Sequence, residues 1–185
     1  MELKRAIYGR RAVREYTTAA VDESEIRQII DAAIQAPSAV NQQPWLFTVV
    51  RDSAMLSRIS DQAKAHMLRT SQAAFASHHF QTILNDPNFN IFYRAPTLIV
   101  ISASTGPWVV EDCALAAENL MLAAHAAGLG TCWIGFAQGW LATPESKSLL
   151  KLSVNETPVA PIIVGRPKSE APAVTRKPAR IDWIS

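Results

Sequence analysis

Apolar residues recur every three to four positions in several segments, and this spacing predicts helices. The clearest helix opens with Asp22-Glu23-Ser24-Glu25, a variant of the capping box with Asp in place of Ser or Thr, and Pro37 ends it. A second helix spans about 110–127 and is closed by Gly128, a residue type favoured just after a helix end. Further helices are expected over 2–9, over 53–84 and from Thr143-Pro144-Glu145 onward.

Short runs of β-branched and aromatic residues predict four strands. They lie at Trp45–Val50, Thr97–Ser102, Thr131–Ile134 and Pro161–Val164. The second run is apolar at nearly every position, which indicates a strand buried on both faces. Strands interspersed with helices predict an α/β (α+β) protein with a central mixed sheet flanked by helices.

The length of 185 residues suits one domain, predicted over 1–185. Residues 166–185, rich in proline and basic residues, are expected to form an extended arm with an apolar end that packs on a second subunit. The low charged fraction of 18% also favours surface buried between subunits. The charged N-terminus is unlike a signal peptide. The most apolar stretch carries polar residues and is not expected to enter a membrane. The two cysteines fit a protein of the reducing cytoplasm.

Positive charge is concentrated at the two ends of the chain. Residues 1–16 and 166–185 each carry a net charge of +3, whereas the middle carries −4. Arginine dominates both ends, and its planar guanidinium suits phosphate and carboxylate. A net charge of +2 is too small for a nucleic-acid-binding surface. One interpretation is that the two ends hold a small anionic ligand between them. The other is that both ends are solvated basic tails.

Three segments carry candidate chemistry, although each also has a purely structural reading. Arg10-Arg11-Ala12-Val13-Arg14 places three guanidiniums close together, which repel unless an anion or solvent neutralises them. The loop from Ala36 to Trp45 holds hydroxyl and amide groups that could read a flat ring, or it is a polar connection. Gly128 to Gly135 flanks a short strand with glycines, which permits close approach of a ligand or marks a helix end before a core strand.

Other motif classes are not indicated. The sequence lacks the glycine-rich fingerprint of dinucleotide-binding folds, the P-loop and the nucleophile elbow. His78 and His79 have no partners at ligand spacing, so no metal site is expected.

Taken together, the three segments resemble the FMN-dependent nitroreductase-like family over nearly the whole chain. Its Arg-Arg-Ser-Val-Arg-x-Phe/Tyr segment is similar to residues 10–16, with Ala12 in place of the usual serine. Its Ala-Pro-Ser-x-x-Asn-x-Gln-Pro-Trp loop is matched by residues 36–45. Its Asp-Cys helix and Gly-Leu-Gly-Thr-Cys-Trp-Ile-Gly run are matched by Asp112-Cys113 and by residues 128–135.

The resemblance implies a homodimer with the nitroreductase-like fold, a swapped C-terminal arm and an FMN site at the subunit interface. NAD(P)H would be the electron donor, and a nitroaromatic, quinone or similar electron-poor small molecule the acceptor, in a ping-pong order. No side chain is expected to be catalytic, because the flavin carries the chemistry. The implied FMN-binding residues are Arg10, Arg11, Ala12, Arg14, Pro37, Ser38, Ala39, Asn41, Gln43, Trp133, Ile134, Gly135, Arg176 and Lys177.

Three alternatives stay open at this point. One is a specialised branch of the family that catalyses reductive dehalogenation or flavin fragmentation. The segment between Ser71 and Tyr93, where the family places substrate-covering elements, does not distinguish this branch from the others. The second is a flavin-binding protein without catalytic turnover. The third is an interaction module with basic arms and no cofactor.

Overall fold

The computed structural model describes residues 1–70, 78–104 and 106–184. Within these ranges the chain forms helices and strands in an interspersed order. The helices are α1 (Leu3–Gly9), α2 (Glu23–Ala33), α3 (Ser53–Thr70), α4 (His78–Asn85), α5 (Val109–Ala126), α6 (Gly135–Leu141) and α7 (Pro144–Leu149), with a 3₁₀ turn at Ala39–Asn41. The strands are β1 (Trp45–Val50), β2 (Thr97–Ser104), β3 (Gly130–Trp133) and β4 (Glu156–Gly165).

The four strands form one sheet in the order β1-β2-β4-β3. All three neighbouring pairs are antiparallel. The predicted α/β (α+β) class with a central sheet is therefore confirmed. The sheet was predicted to mix parallel and antiparallel pairs, and it contains few parallel contacts. In the described part of the chain, the parallel pairing is confined to an isolated bridge between Ala12 and Thr131 at the β3 edge.

Both faces of the sheet are covered, which explains the unbroken apolar run of β2. Alternate residues of a strand point to opposite faces. Ile99 and Ile101 therefore join the core cluster that contains α2 and α5, whereas Leu98 and Val100 join the cluster that contains α3 and α6. The result is a helix–sheet–helix sandwich in which β2 and β4 form the central strands.

Several predicted element boundaries are confirmed by their capping contacts. The Glu25 side chain accepts a hydrogen bond from the Asp22 backbone N–H at 3.0 Å, which completes the start of α2. Gly128 follows α5 with φ +78°, and the Leu129 N–H bonds the Ala124 carbonyl at 2.8 Å, as in a Schellman motif. The Thr143 hydroxyl accepts from the Ser146 N–H at the start of α7.

Other boundaries differ from the prediction. Of the helix expected over 53–84, α3 ends at Thr70 and α4 begins at His78, while 71–77 lie outside the described residues. Helix α6 was missed, because Gly135 and Gly139 disfavour a helix by propensity alone. Strand β4 begins five residues before the predicted start, since prolines lack a donor for the strand ladder and weaken the sequence signal.

Candidate functional site

The arginine-rich segment lies along the edge of the sheet beside β3. The Val13 N–H donates to the Thr131 carbonyl at 2.9 Å, next to the Ala12–Thr131 bridge. Gly130 makes this approach possible, because a Cβ there would lie 2.8 Å from the Cβ of Val13. The segment is thus fixed in an extended conformation by backbone contacts, and its arginine side chains are left to make other interactions.

The three arginines of this segment have different surroundings. The Arg10 Nε lies 3.4 Å from the Glu118 carboxylate on α5. Arg11 donates from Nη1 to the carbonyls of Tyr8 at 2.7 Å and Arg10 at 2.8 Å, but its Nε is buried without a partner in the described residues. The Arg14 guanidinium lies 5.9 Å from the centre of the Tyr93 ring, within cation–π range.

Arg14 also forms part of the wall of the main cavity, whose volume is about 840 Å³. That volume falls within the roughly 300–1,000 Å³ typical of sites for cofactors and small ligands. One wall comes from the end of β3 and the start of α6, and the other from α4 and the loop that follows it. The lining residues are Arg14, Phe80, Ile83, Asp86, Phe89, Ile91, Tyr93, Cys132, Trp133, Ile134, Gly135, Phe136 and Gln138.

A smaller cavity of about 320 Å³ shares Arg14 with the main one. It runs along residues 11–15 and is closed by the base of the C-terminal arm, including Ser169 and Val174. Backbone contacts hold that base in place: Lys168 N–H donates to the Glu15 carbonyl at 3.0 Å. The main, mostly apolar cavity and the smaller one therefore share Arg14, and the smaller one is lined by Arg11 and Arg14 together with Glu15 and Glu170.

This pair of cavities fits an elongated ligand with a flat ring at one end and an anion at the other. The ring would lie among aromatic and aliphatic side chains, and the anionic end near arginine donors, as the chemistry of FMN requires. Arg11 lines the smaller cavity, and its buried Nε has no hydrogen-bond partner among the described residues, whereas buried donors are normally hydrogen-bonded.

The loop between α2 and β1 is held in a strained conformation. Val40, Asn41 and Gln43 have φ values of 44°, 56° and 50°, in the left-handed region that a β-branched residue such as Val40 rarely adopts. The Ser38 hydroxyl accepts from the Gln43 N–H at 2.9 Å. Backbone strain of this kind clusters at functional sites, where the surroundings maintain it.

Asp112 is the residue outside the loop that holds it. Its side chain is buried, and Oδ1 accepts a hydrogen bond from the Ala39 N–H at 2.9 Å. Its backbone carbonyl accepts from the Trp45 indole N–H, also at 2.9 Å. Asp112 therefore ties both ends of the loop to the first turn of α5.

The structure brings only some of the sequence-predicted site residues together. Within one chain the two cavities gather Arg11, Ala12, Arg14, Trp133, Ile134 and Gly135. Arg10 faces Glu118, and the loop residues Pro37, Ser38, Ala39, Asn41 and Gln43 do not line either cavity of this chain as described. Arg176 and Lys177 lie on the exposed part of the arm.

Sequence reasoning missed two groups of residues that shape the site. The aromatic wall that includes Phe80, Phe89 and Phe136 was not identified, although the aromatic, turn-rich character of 85–94 is visible in the sequence. The supporting carboxylates Asp112 and Glu118 were also not assigned these contacts, because their partners lie 73 and 108 positions away along the chain.

Two weakly acidic groups near the main cavity have raised pKa values. Burial raises the pKa of the Cys132 thiol, and the nearby Arg14 and Arg10 charges oppose this effect only in part. Burial also raises the pKa of Tyr16, whose hydroxyl donates to the Val13 carbonyl at 2.7 Å. Both groups are therefore neutral at pH 7 and add no negative charge near the arginines.

Two other features, a membrane-spanning helix and a metal centre, are absent from the described residues. None of their helices combines the length and apolar character needed to cross a membrane. The same residues contain no group of three or more His, Cys, Asp or Glu side chains arranged to hold a metal ion.

Comparisons with known proteins identify the family and the fold of the chain. Residues 7–166 match the model of the nitroreductase family. A protein of Archaeoglobus fulgidus, whose name places it with NADH dehydrogenase/NAD(P)H nitroreductases, is 32% identical over 170 residues, which cover 91% of this chain and 87% of that protein. An iodotyrosine deiodinase of Haliscomenobacter hydrossis is 28% identical over 91% of this chain and 81% of its own length. A nitroreductase of Bacteroides fragilis, solved with bound FMN, superposes with a TM-score of 0.82 at 25% identity and covers 100% of this chain and 98% of its own.

Proposed function

The chain belongs to the nitroreductase family, and from that premise we propose that it is an FMN-dependent oxidoreductase that takes electrons from NAD(P)H. The observation that carries the proposal is that Arg14 lines both the main cavity and the smaller cavity, to which Arg11 also contributes. The names of the related proteins, several of which are nitroreductases or FMN reductases using NAD(P)H, support the same activity.

FMN, when bound, supplies two-electron transfer from NAD(P)H to an electron-poor acceptor such as a nitroaromatic or a quinone, in a ping-pong order. The side chains of this chain bind and orient. Trp133, Ile134 and Gly135 form the wall for the ring, and Arg14 places a positive charge beside the same cavity. Arg11, which lines the smaller cavity, would bind the phosphate, and Ala12 would offer only backbone contacts. Arg10, which lies beside Glu118, and Arg176 and Lys177 of the exposed arm would add positive charge.

The remaining residues of the site are proposed to come from a second subunit. Pro37, Ser38, Ala39, Asn41 and Gln43 lie on a strained surface loop, and the tip residue Val40 is 87% exposed. In a homodimer this loop would cover the ring bound in the partner.

The C-terminal arm gives independent support for the dimer. Trp183 is 89% exposed and Ile184 is 99% exposed, which is unfavourable for large apolar side chains in water. We therefore propose that residues 1–185 form one domain whose arm, 166–185, packs on the partner. The two reduced cysteines fit the cytoplasm as the location of the dimer.

The test begins with the visible absorption spectrum of the purified protein and identification of the released chromophore. We expect released FMN and steady oxidation of NAD(P)H when a quinone or nitroaromatic is added. Bound FMN without turnover would favour a flavin-binding protein that is not an enzyme. A colourless protein that also fails to bind added FMN would refute the proposal.

A pair of variants tests the phosphate assignment. Arg10→Ala should weaken FMN binding by about 1.5–3 kcal/mol, the value of a charge-assisted hydrogen bond. Arg27→Ala, which removes an exposed arginine paired with Glu23 on α2, is the matched control and should leave affinity unchanged. Equal FMN affinity in both variants would show that Arg10 does not contact the phosphate.

Reductive dehalogenation is the second candidate, favoured by the similarity to the iodotyrosine deiodinase. Release of iodide from 3-iodotyrosine by the reduced protein, at a rate above that of nitroaromatic reduction, would select it. Flavin fragmentation is tested by loss of flavin absorbance under oxygen.

A further inference from the structure

The main cavity has an unusual charge distribution on the wall that faces away from β3. That wall is built from apolar and aromatic side chains, with Ile83, Phe89 and Tyr93 among them. Asp86, in the loop after α4, is the acidic residue that lines it.

The Asp86 carboxylate is available for a ligand. Its Oδ1 accepts a hydrogen bond from the Asn88 N–H at 2.8 Å, which fixes the turn and the direction of the side chain. Among the described residues it forms no ion pair, and the side chain is exposed at the cavity rim. The opposite charge that lines the cavity, Arg14, is held 5.9 Å from the Tyr93 ring.

FMN would change this balance, because the proposed function places Arg14 against the flavin. Among the described lining residues, the space left for the acceptor would then have mostly aromatic and aliphatic walls and one charged side chain besides Arg14, that of Asp86. Aromatic walls favour flat rings, and a carboxylate at the rim favours a positively charged substituent and disfavours a negatively charged one.

We propose that the acceptor site selects flat aromatic compounds that carry a cationic group, such as an ammonium, with Asp86 as the residue that determines this specificity. The proposal rests on the proposed oxidoreductase function and specifies its substrate class.

The expected effect is moderate, because Asp86 is at the rim. An exposed ion pair changes an equilibrium by up to about fivefold. Asp86 attracts a cationic ligand and repels an anionic one. The ratio of the dissociation constants of the anion and the cation should therefore reach about tenfold at low salt.

The first experiment measures binding to the FMN-loaded protein, without turnover. Titration calorimetry with 1-naphthylmethylammonium and 1-naphthoate should show about tenfold tighter binding of the cation at low salt. The preference should shrink in 1 M salt, where the Debye length is about 3 Å. Equal binding of the two probes, or tighter binding of the naphthoate, would overturn the proposal.

Variants then assign the preference to Asp86. Asp86→Asn keeps an oxygen that can accept the Asn88 N–H, so the turn is preserved, and it should reduce the ratio to within twofold. Asp86→Lys should invert it. Asp31→Asn, which removes an exposed carboxylate on α2 far from the lining, is the matched control and should keep the wild-type ratio. A wild-type ratio in Asp86→Asn would exclude Asp86 as the selecting residue.

Turnover separates failure of this inference from failure of the proposed function. The kcat/KM values for 4-nitrobenzylamine, 4-nitrobenzyl alcohol and 4-nitrobenzoate should fall in that order. Reduction of the neutral alcohol without a preference between the charged compounds would support the oxidoreductase and overturn the cation selectivity. Reduction of none of the three would count against the nitroreductase activity, while the naphthyl titrations would still report on Asp86.

Discussion

Removal of the Asp112 carboxylate should release the strained loop between α2 and β1. The side chain is only 5% exposed, and its Oδ1 accepts the Ala39 N–H at 2.9 Å. A hydrogen bond to a charged acceptor contributes about 1.5–3 kcal/mol. The left-handed conformation of Val40 costs about 1–3 kcal/mol, so the two magnitudes are comparable and the loop depends on Asp112.

Two substitutions divide this effect. Asp112→Asn retains an oxygen acceptor but loses the charge, so the free energy of unfolding should fall by about 1 kcal/mol. Asp112→Ala also leaves the Ala39 N–H without its partner, and the loss should reach about 2–3 kcal/mol. If the loop covers the FMN of the partner, FMN affinity should fall about tenfold for each 1.4 kcal/mol needed to restore the loop.

The assay combines urea unfolding, hydrogen exchange of residues 38–43 and FMN titration. Glu111→Gln changes the adjacent, exposed carboxylate of the same helix turn and serves as the control. Faster exchange of the loop amides in Asp112→Ala, with slow exchange kept in α5, is the expected pattern. Unchanged loop exchange and unchanged FMN affinity in Asp112→Ala would refute the positioning role.

The remaining predictions address other parts of the molecule. Arg14→Met should make the reduction potential of bound FMN more negative by about 30 mV, equivalent to about 1.4 kcal/mol for two electrons, measured by spectroelectrochemistry; an unchanged potential would place Arg14 away from the ring. Gly130→Ala should lower the free energy of unfolding by about 1–3 kcal/mol in urea, because the new Cβ would lie 2.8 Å from the facing valine; wild-type stability would refute the close approach. Burial, reinforced by neighbouring arginines, lowers the pKa of His125 from 6.5, so the free energy of unfolding should decline as pH falls below about 6.5. His125→Gln should reduce this pH dependence. If the variant keeps the wild-type slope, other groups cause it. Burial raises the pKa of Cys113 to about 12, so a thiol reagent at pH 8 should leave it unmodified until urea unfolds the protein. If the chain forms the proposed dimer, Trp183→Ala should shift the sedimentation equilibrium toward monomer, and an unchanged equilibrium would show that the end of the arm does not stabilise the dimer.

The sequence by itself predicted the features that depend on local chemistry. Caps and stops follow from residues a few positions apart, so the starts of α2 and α7 and the glycine after α5 were predicted and confirmed. The apolar run of β2 predicted burial on both faces for the same reason. The family resemblance was carried by short motifs, and the match over residues 7–166 confirms it.

Features that depend on contacts between distant residues appeared only in the tertiary structure. The bond from Asp112 to Ala39 spans 73 positions, and the aromatic wall of the cavity joins α4 to α6 across the chain. Strand β4 extends through two prolines, because its pairing with β2 and β3 outweighs the local preference against proline in a strand. The local sequence determines which backbone conformations have a low free energy. Tertiary packing determines which conformations of higher local free energy are kept in the folded chain.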